Sequence, residues 1–218
     1  MALFKNLSSG GGNFGEIIPI IKFDARSGRL STRNYSGGEY VNVDVTRTFK
    51  AVMDLENIET GYISFSTGGA PDFCVARATE KQPTQPSQDH KMGFRMLLKL
   101  SKDCGGDIRE FASNARACLA GIEALYTAYE AAAGENHGKL PIVVLKDAVA
   151  IVSGEGARKT TNYSPVFEIV GWSARPADLV YSPKARSGAV GAAGAPPATG
   201  STRVEAPATS SDTADGFG

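Results

Sequence analysis

Two histidines, three cysteines and one tryptophan in 218 residues leave little material for several kinds of chemistry. His90 and His137 sit in no Cys/His spacing that makes a zinc site. Neither belongs to a Ser, His, Asp order with strand-turn-helix support, so both read as solvated surface. The carboxylates Glu56, Glu59, Asp103 and Asp107 fall near element ends, where turns and caps use them, and form no acid-base pair. No enzyme and no cofactor is expected. Cys74, Cys104 and Cys118 are odd in number and contain no C-x-x-C pair, which excludes a disulfide framework and fits reduced thiols. An excess of one charge is also missing: 23 basic and 23 acidic residues balance, so no whole-chain field announces nucleic acid, membrane or acidic substrate. Apolar runs are short. Nothing approaches the length that spans a bilayer, and the start MALFKNLSSGGG has neither the basic opening nor the apolar run of a signal peptide. A soluble, cytoplasmic chain without membrane association is expected.

What is present is 42% hydrophobic sequence, enough for the core of one domain flanked by tails. Residues 107–133 carry the one long helical signal. Ile108, Phe111, Ala115, Cys118, Leu119, Ile122 and Tyr126 recur at steps of three and four, Asp103 or Asp107 suits the first turn, and Gly134 suits a left-handed cap. The remainder reads as strands. Residues 17–23 and 30–35 flank an Arg-Ser-Gly turn, and residues 40–50 alternate, with Val41, Val43 and Val45 toward a core and Asn42, Asp44 and Thr46 toward water. Further strands are expected at 49–55, 62–66, 73–76, 92–100, 140–145, 148–152 and 165–172. Residues 79–91 are polar with two prolines and read as a mobile loop. Residues 1–15, rich in Ser, Gly and Asn, read as a flexible arm; 16–181 read as the folded domain. From 182 to 218 the composition turns to Ala, Gly, Ser, Pro and Thr, the mark of a disordered tail.

Two patterns bear on function. Gly154-Glu155-Gly156-Ala157-Arg158-Lys159-Thr160 has the ingredients of a phosphate cradle, but it leads into a strand rather than a helix N-terminus. A phosphate-handling enzyme is therefore the weakest reading, and a hairpin loop whose Arg158 and Lys159 meet a backbone phosphate is the better one. The second pattern is a mixture of cations and aromatics on the expected strands: Lys22, Arg29, Arg33, Tyr35, Tyr40, Arg47 and Phe49. Between residues 22 and 50 six basic side chains stand against three acidic ones. Such a surface binds an extended single strand, cations following the phosphates and exposed rings stacking on bases. Arg29, Arg33 and Tyr35 share one face of their strand by its period of two. Arg47 and Phe49 share the valine face only if no kink intervenes.

Strands with hairpin turns, one helix set late among them, further strands and a tail closing on Ser211-Asp212-Thr213-Ala214-Asp215-Gly216-Phe217-Gly218 together resemble the OB-fold single-stranded-DNA-binding proteins of phage replication and recombination. The resemblance implies a mainly β fold with one long helix, an elaborated five-stranded OB-like barrel. It implies sequence-tolerant binding and protection of single-stranded DNA. It further implies that Asp212, Asp215 and Phe217 recruit replication or recombination proteins and compete with DNA for the groove. Self-association into a homo-oligomer is left open. The rival from another class is a phage structural protein that assembles through its arm and tail without touching nucleic acid.

Overall fold

The computed structural model describes residues 18–65 and 70–184; the expected arm 1–15 and the tail residues Asp212, Asp215 and Phe217 lie outside them. The described residues fall within one unit, residues 1–187. Among the described residues ten strands and one α-helix follow in order: β1 Ile20–Asp24, β2 Arg29–Ser36, β3 Glu39–Asp44, β4 Lys50–Met53, β5 Glu59–Ser64, β6 Asp72–Arg77, β7 Lys91–Leu100, β8 Ile108–Ser113, α1 Arg116–Ala133, β9 Lys139–Ser153 and β10 Thr160–Ala174. The fold is mainly β with one helix, as the sequence suggests. Among the described residues no helix is long and apolar enough to cross a membrane.

All ten strands share one sheet in the order β10-β9-β4-β7-β8-β1-β2-β3, with β6 joined through β5. The ten residues of β7 make this branching possible. Along one edge β7 pairs first with β5, through Lys91 to Arg95, and then with β4, through Leu98 to Leu100, while its other edge pairs with β8. The sheet curls into an open half-barrel. Its β10 end reaches the β1–β2 turn through the Tyr163 amide, which donates to Ala25 O at 2.6 Å, and no ladder continues from there.

The sheet is buried on both faces at its centre. On one face Phe94, Met96 and Leu98 of β7 join Ile21, Phe23, Leu30, Met53 and Phe111, and α1 adds Cys118, Ile122 and Leu125. On the other, Leu97 packs with Leu140 and Leu179 beneath residues 175–184. Burial of each large apolar side chain contributes about 1.5–3 kcal/mol.

The helix is shorter than its periodicity predicts. Residues 108–113 form β8, because both faces of that strand are covered and a doubly buried strand need not alternate apolar with polar residues. Ile108 and Phe111 therefore share no stripe with Cys118. The caps differ too: Ala115 occupies the N-terminal position without a side-chain bond, and Gly134 is right-handed at φ −58°. Residues 140–145 and 148–152, expected as separate strands, are both parts of β9. His90, expected on the surface, is buried, its ring bonded to Ser87 Oγ at 2.8 Å and Asp72 Oδ2 at 3.2 Å.

Candidate nucleic-acid interface

Alternation along β1 sends Ile21 and Phe23 into the core and leaves Ile20, Lys22 and Asp24 on the outer side. The register then decides which neighbours share that side. Lys22 lies opposite Ser31, Asp24 opposite Arg29, Arg33 opposite Asn42 and Tyr35 opposite Tyr40. In an antiparallel pair directly opposed side chains point the same way, so Lys22, Arg29, Arg33, Tyr35 and Tyr40 occupy one face. The strands bring together five of the nine body residues singled out from sequence.

The two tyrosines form the centre of this face. Both are about two-thirds exposed. Their rings meet edge to face with centroids 5.1 Å apart, and the Arg33 guanidinium lies 4.4 Å from the Tyr40 ring centre. A cation on an aromatic face is attracted by the ring quadrupole, so Arg33 helps hold the Tyr40 ring while its own charge stays exposed. Arg29 is partnered: its Nη1 lies 3.0 Å from Asp44 Oδ2. The Thr46 hydroxyl and the Thr46 amide hold the Asp44 carboxyl below its usual range, with Arg29 adding to the effect. Among the described residues Lys22, Arg33, Arg47, Arg158 and Lys159 form no ion pair with a carboxylate.

Arg109 of β8 fixes where the β2–β3 hairpin leaves the sheet. It is 5% exposed and donates from Nη1 to Arg33 O at 3.0 Å and from Nη2 to Asn34 Oδ1 at 2.6 Å, with Asp107 Oδ2 2.7 Å from Nη2. Sequence reasoning missed it. The signal lay in its neighbours: Arg109 stands between Ile108 and Glu110 in a run that closes on Phe111 and Ala112, and if both faces of such a strand are covered its arginine must find buried partners.

Phe49 must be struck from the stacking candidates. It is 3% exposed and packs in the core, 6.0 Å from the Phe167 ring. The alternation expected through residue 50 stops at Asp44, where Thr46, Arg47 and Thr48 form a turn that carries Val45 and Phe49 inward. Val41 and Val43, expected to face a core, are 47% and 42% exposed because the hairpin projects past the body of the sheet. Arg47 stays exposed in that turn and lines a shallow cleft with Arg29 and Asp44. Arg158 and Lys159 sit at the tip of the β9–β10 hairpin, in a short 3-10 turn at Gly156–Arg158. Gly154 is required there: its φ is +84° and an added Cβ would fall 2.4 Å from Arg158 O. At about 3.3 Å per residue, the tip lies some five residues, roughly 16 Å, beyond the junction of Tyr163 with Ala25.

No family model, no curated protein and no solved structure matches the chain.

Proposed function

We propose that the chain binds single-stranded DNA in a sequence-tolerant way, with Tyr35 and Tyr40 stacking on bases and Lys22, Arg33 and the hairpin-tip cations following phosphates. One observation carries the reading: on a projecting hairpin a solvent-exposed tyrosine pair shares a face with Arg33 and, from the neighbouring strand, Lys22, neither of which pairs with a carboxylate among the described residues. The directly opposed pair helps hold its hairpin together, and with both rings about two-thirds exposed their faces stay open to stacking. Single strands offer what such a face accepts, since every base has a π-face and every linkage a charge.

The test is binding to a short oligonucleotide at several salt concentrations, for the parent, Arg33→Ala and Tyr35→Ala. Removing a phosphate contact lowers the slope of log K against log salt by about 0.7. Removing a stacking ring weakens binding at every salt concentration, roughly tenfold, and leaves the slope alone. A parent that binds duplex as tightly as single strand, or binds neither, defeats the proposal. The assembly reading then takes its place, favoured by exposed Val41 and Val43 on β3, whose outer edge has no partner strand among the described residues.

A further inference from the structure

The parallel ladder between β1 and β8 is two residues long, Ile20 beside Glu110 and Ile21 beside Phe111. β8 then turns away toward α1, and β1 runs on to Asp24 without a neighbour on that side. The gap is a cleft of about 540 Å³, within the range of small-molecule sites. Its lining is mostly apolar, with Ile20, Ala112 and Phe73 contributing, but three features are not those of a plain apolar crevice.

Phe65, 46% exposed, stands in the wall with its ring braced edge-on against buried Phe73 at 6.3 Å. Two carboxamides open into the cleft. Asn114 donates from Nδ2 to Ile63 O at 3.1 Å, which leaves its Oδ1 free to accept, and the Asn162 side chain bonds to no described residue. Lys22 and Arg26 are exposed in the same lining. The acid in the wall, Glu110, is matched by Arg95 at 2.8 Å and Lys184 at 3.0 Å, so it does not set a negative field there. Asp24 is turned to its own loop, accepting from the Arg26 amide and the Ser27 hydroxyl.

An aromatic ring, amides that both donate and accept, and cations beside them complement one chemical class. A hydrocarbon would leave the amides unpaired, and a bare anion would not use the ring. We infer that this cleft takes one unstacked nucleobase of the bound strand. The base lies against Phe65, its polar edge meets Asn114 and Asn162, and Lys22 and Arg26 hold the neighbouring phosphates. The inference rests on the proposed single-strand binding and extends it from an open face to a pocket. Lys22 joins the two, since it belongs both to the tyrosine face and to the cleft. Tyr35 lies four residues along β2 from the residue opposite Lys22, roughly 13 Å away plus one strand spacing of about 4.8 Å, so a single strand can occupy both at once.

The experiment uses the full chain and an oligothymidylate carrying 2-aminopurine at successive positions, with Phe65→Ala, Phe65→Tyr, Asn162→Ala and Tyr35→Ala alongside the parent. Melting curves check that each variant is folded. The expected result is one position whose 2-aminopurine emission changes more than its neighbours' in the parent and loses that difference in Phe65→Ala. Phe65→Ala should bind about tenfold more weakly with an unchanged salt slope, Phe65→Tyr should recover most of the loss, and Asn162→Ala should flatten the position dependence. If Tyr35→Ala weakens binding while Phe65→Ala and Asn162→Ala bind as the parent does, the cleft is empty and only the open face is used. If the parent binds no oligonucleotide, the pocket falls together with the proposed function.

Discussion

Arg95 shows how much one buried side chain can hold. It is 2% exposed, with Glu59 Oε2 2.5 Å from Nη1 and Glu110 Oε2 2.8 Å from Nε, and it donates from Nη1 to Ser182 O at 2.9 Å. Burial works against its charge, but the bonds to Glu59 and Glu110 outweigh that and raise its pKa. Replacing it with leucine leaves buried Glu59 without a cation, bonded only to the Tyr181 hydroxyl, and Glu110 with Lys184 alone. Removing one partner of a buried pair costs about 3–5 kcal/mol, so Arg95→Leu should lower the unfolding free energy extrapolated from urea titration by that much; a loss below about 1 kcal/mol would mean the carboxylates find water or protons instead. The cysteines divide by burial as well. The Cys118 thiol is pushed up to about 12 by burial and has almost no thiolate at neutral pH, whereas Cys74 is partly exposed. Alkylation of the native chain at pH 8, read by mass spectrometry, should therefore mark Cys74 and spare Cys118, since the thiolate is the reacting form. Labelling of Cys118 at the rate of Cys74 would contradict the packing of α1. Asp44 sets a limit on acid tolerance. Its carboxyl titrates below the ordinary value of 3.8, held there by Thr46 and Arg29. A depressed carboxylate contributes stability that is complete above the unfolded pKa and lost as pH falls through the folded one. The base of the β2–β3 hairpin should thus loosen only below about pH 3.8, seen as faster amide exchange at Thr46, and loosening at pH 6 would assign the effect to another group.

At the level of elements, α1 is placed by a close approach. A Cβ on Gly121 would fall 2.3 Å from Pro165 O and 2.7 Å from the proline ring of β10, so a glycine lets helix and strand touch backbone to backbone. Gly121→Ala must push them apart. The expected loss is about 1–3 kcal/mol, the usual range for overpacking, despite alanine's better helix propensity; a stabilised variant would show that α1 sits further from β10. The stripe of Cys118, Ile122 and Tyr126 was legible in the sequence, because a helix buried on one side must repeat at 3.6 residues. Its start was not. Ile108, Phe111 and Ala115 continue the same spacing by coincidence while residues 108–113 follow a strand, and only neighbours on both faces reveal this. The same limit applies at the interface. Alternation correctly grouped Arg29, Arg33 and Tyr35, but Phe49 needed the turn at Thr46 to Thr48, and the cleft at Phe65 needed β1, β8 and β10 to converge. Local period sets which side chains share a face; long-range pairing sets which faces meet.

Across the whole sheet, residues 175–184 act as a strap over the side opposite α1. Arg175 grips buried Asp54 with two nitrogens, at 2.8 and 2.7 Å, and reaches Glu56 at 2.9 Å. Asp178 pairs with Lys99, Leu179 is fully buried, the Tyr181 hydroxyl donates to Glu59 Oε1 at 3.0 Å, and Lys184 closes on Glu110. These contacts run from β5 to β8, strands far apart in sequence, and they run past residue 181, where composition alone ends the folded body. A chain ending after residue 184 keeps all of them. A chain ending after residue 174 exposes Leu97 and Leu140, leaves Asp54 as a buried carboxylate without its arginine, and takes the Ser182 carbonyl from Arg95. The lost burial of Leu179 alone is about 1.5–3 kcal/mol, and an unpartnered buried carboxylate adds more. At roughly 2–4 °C per kcal/mol for a body of this size, thermal melts of the two truncated chains should differ by about 10 °C, with the shorter one lower. Melting points within about 2 °C of each other would mean that the strap lies on a body already complete without it.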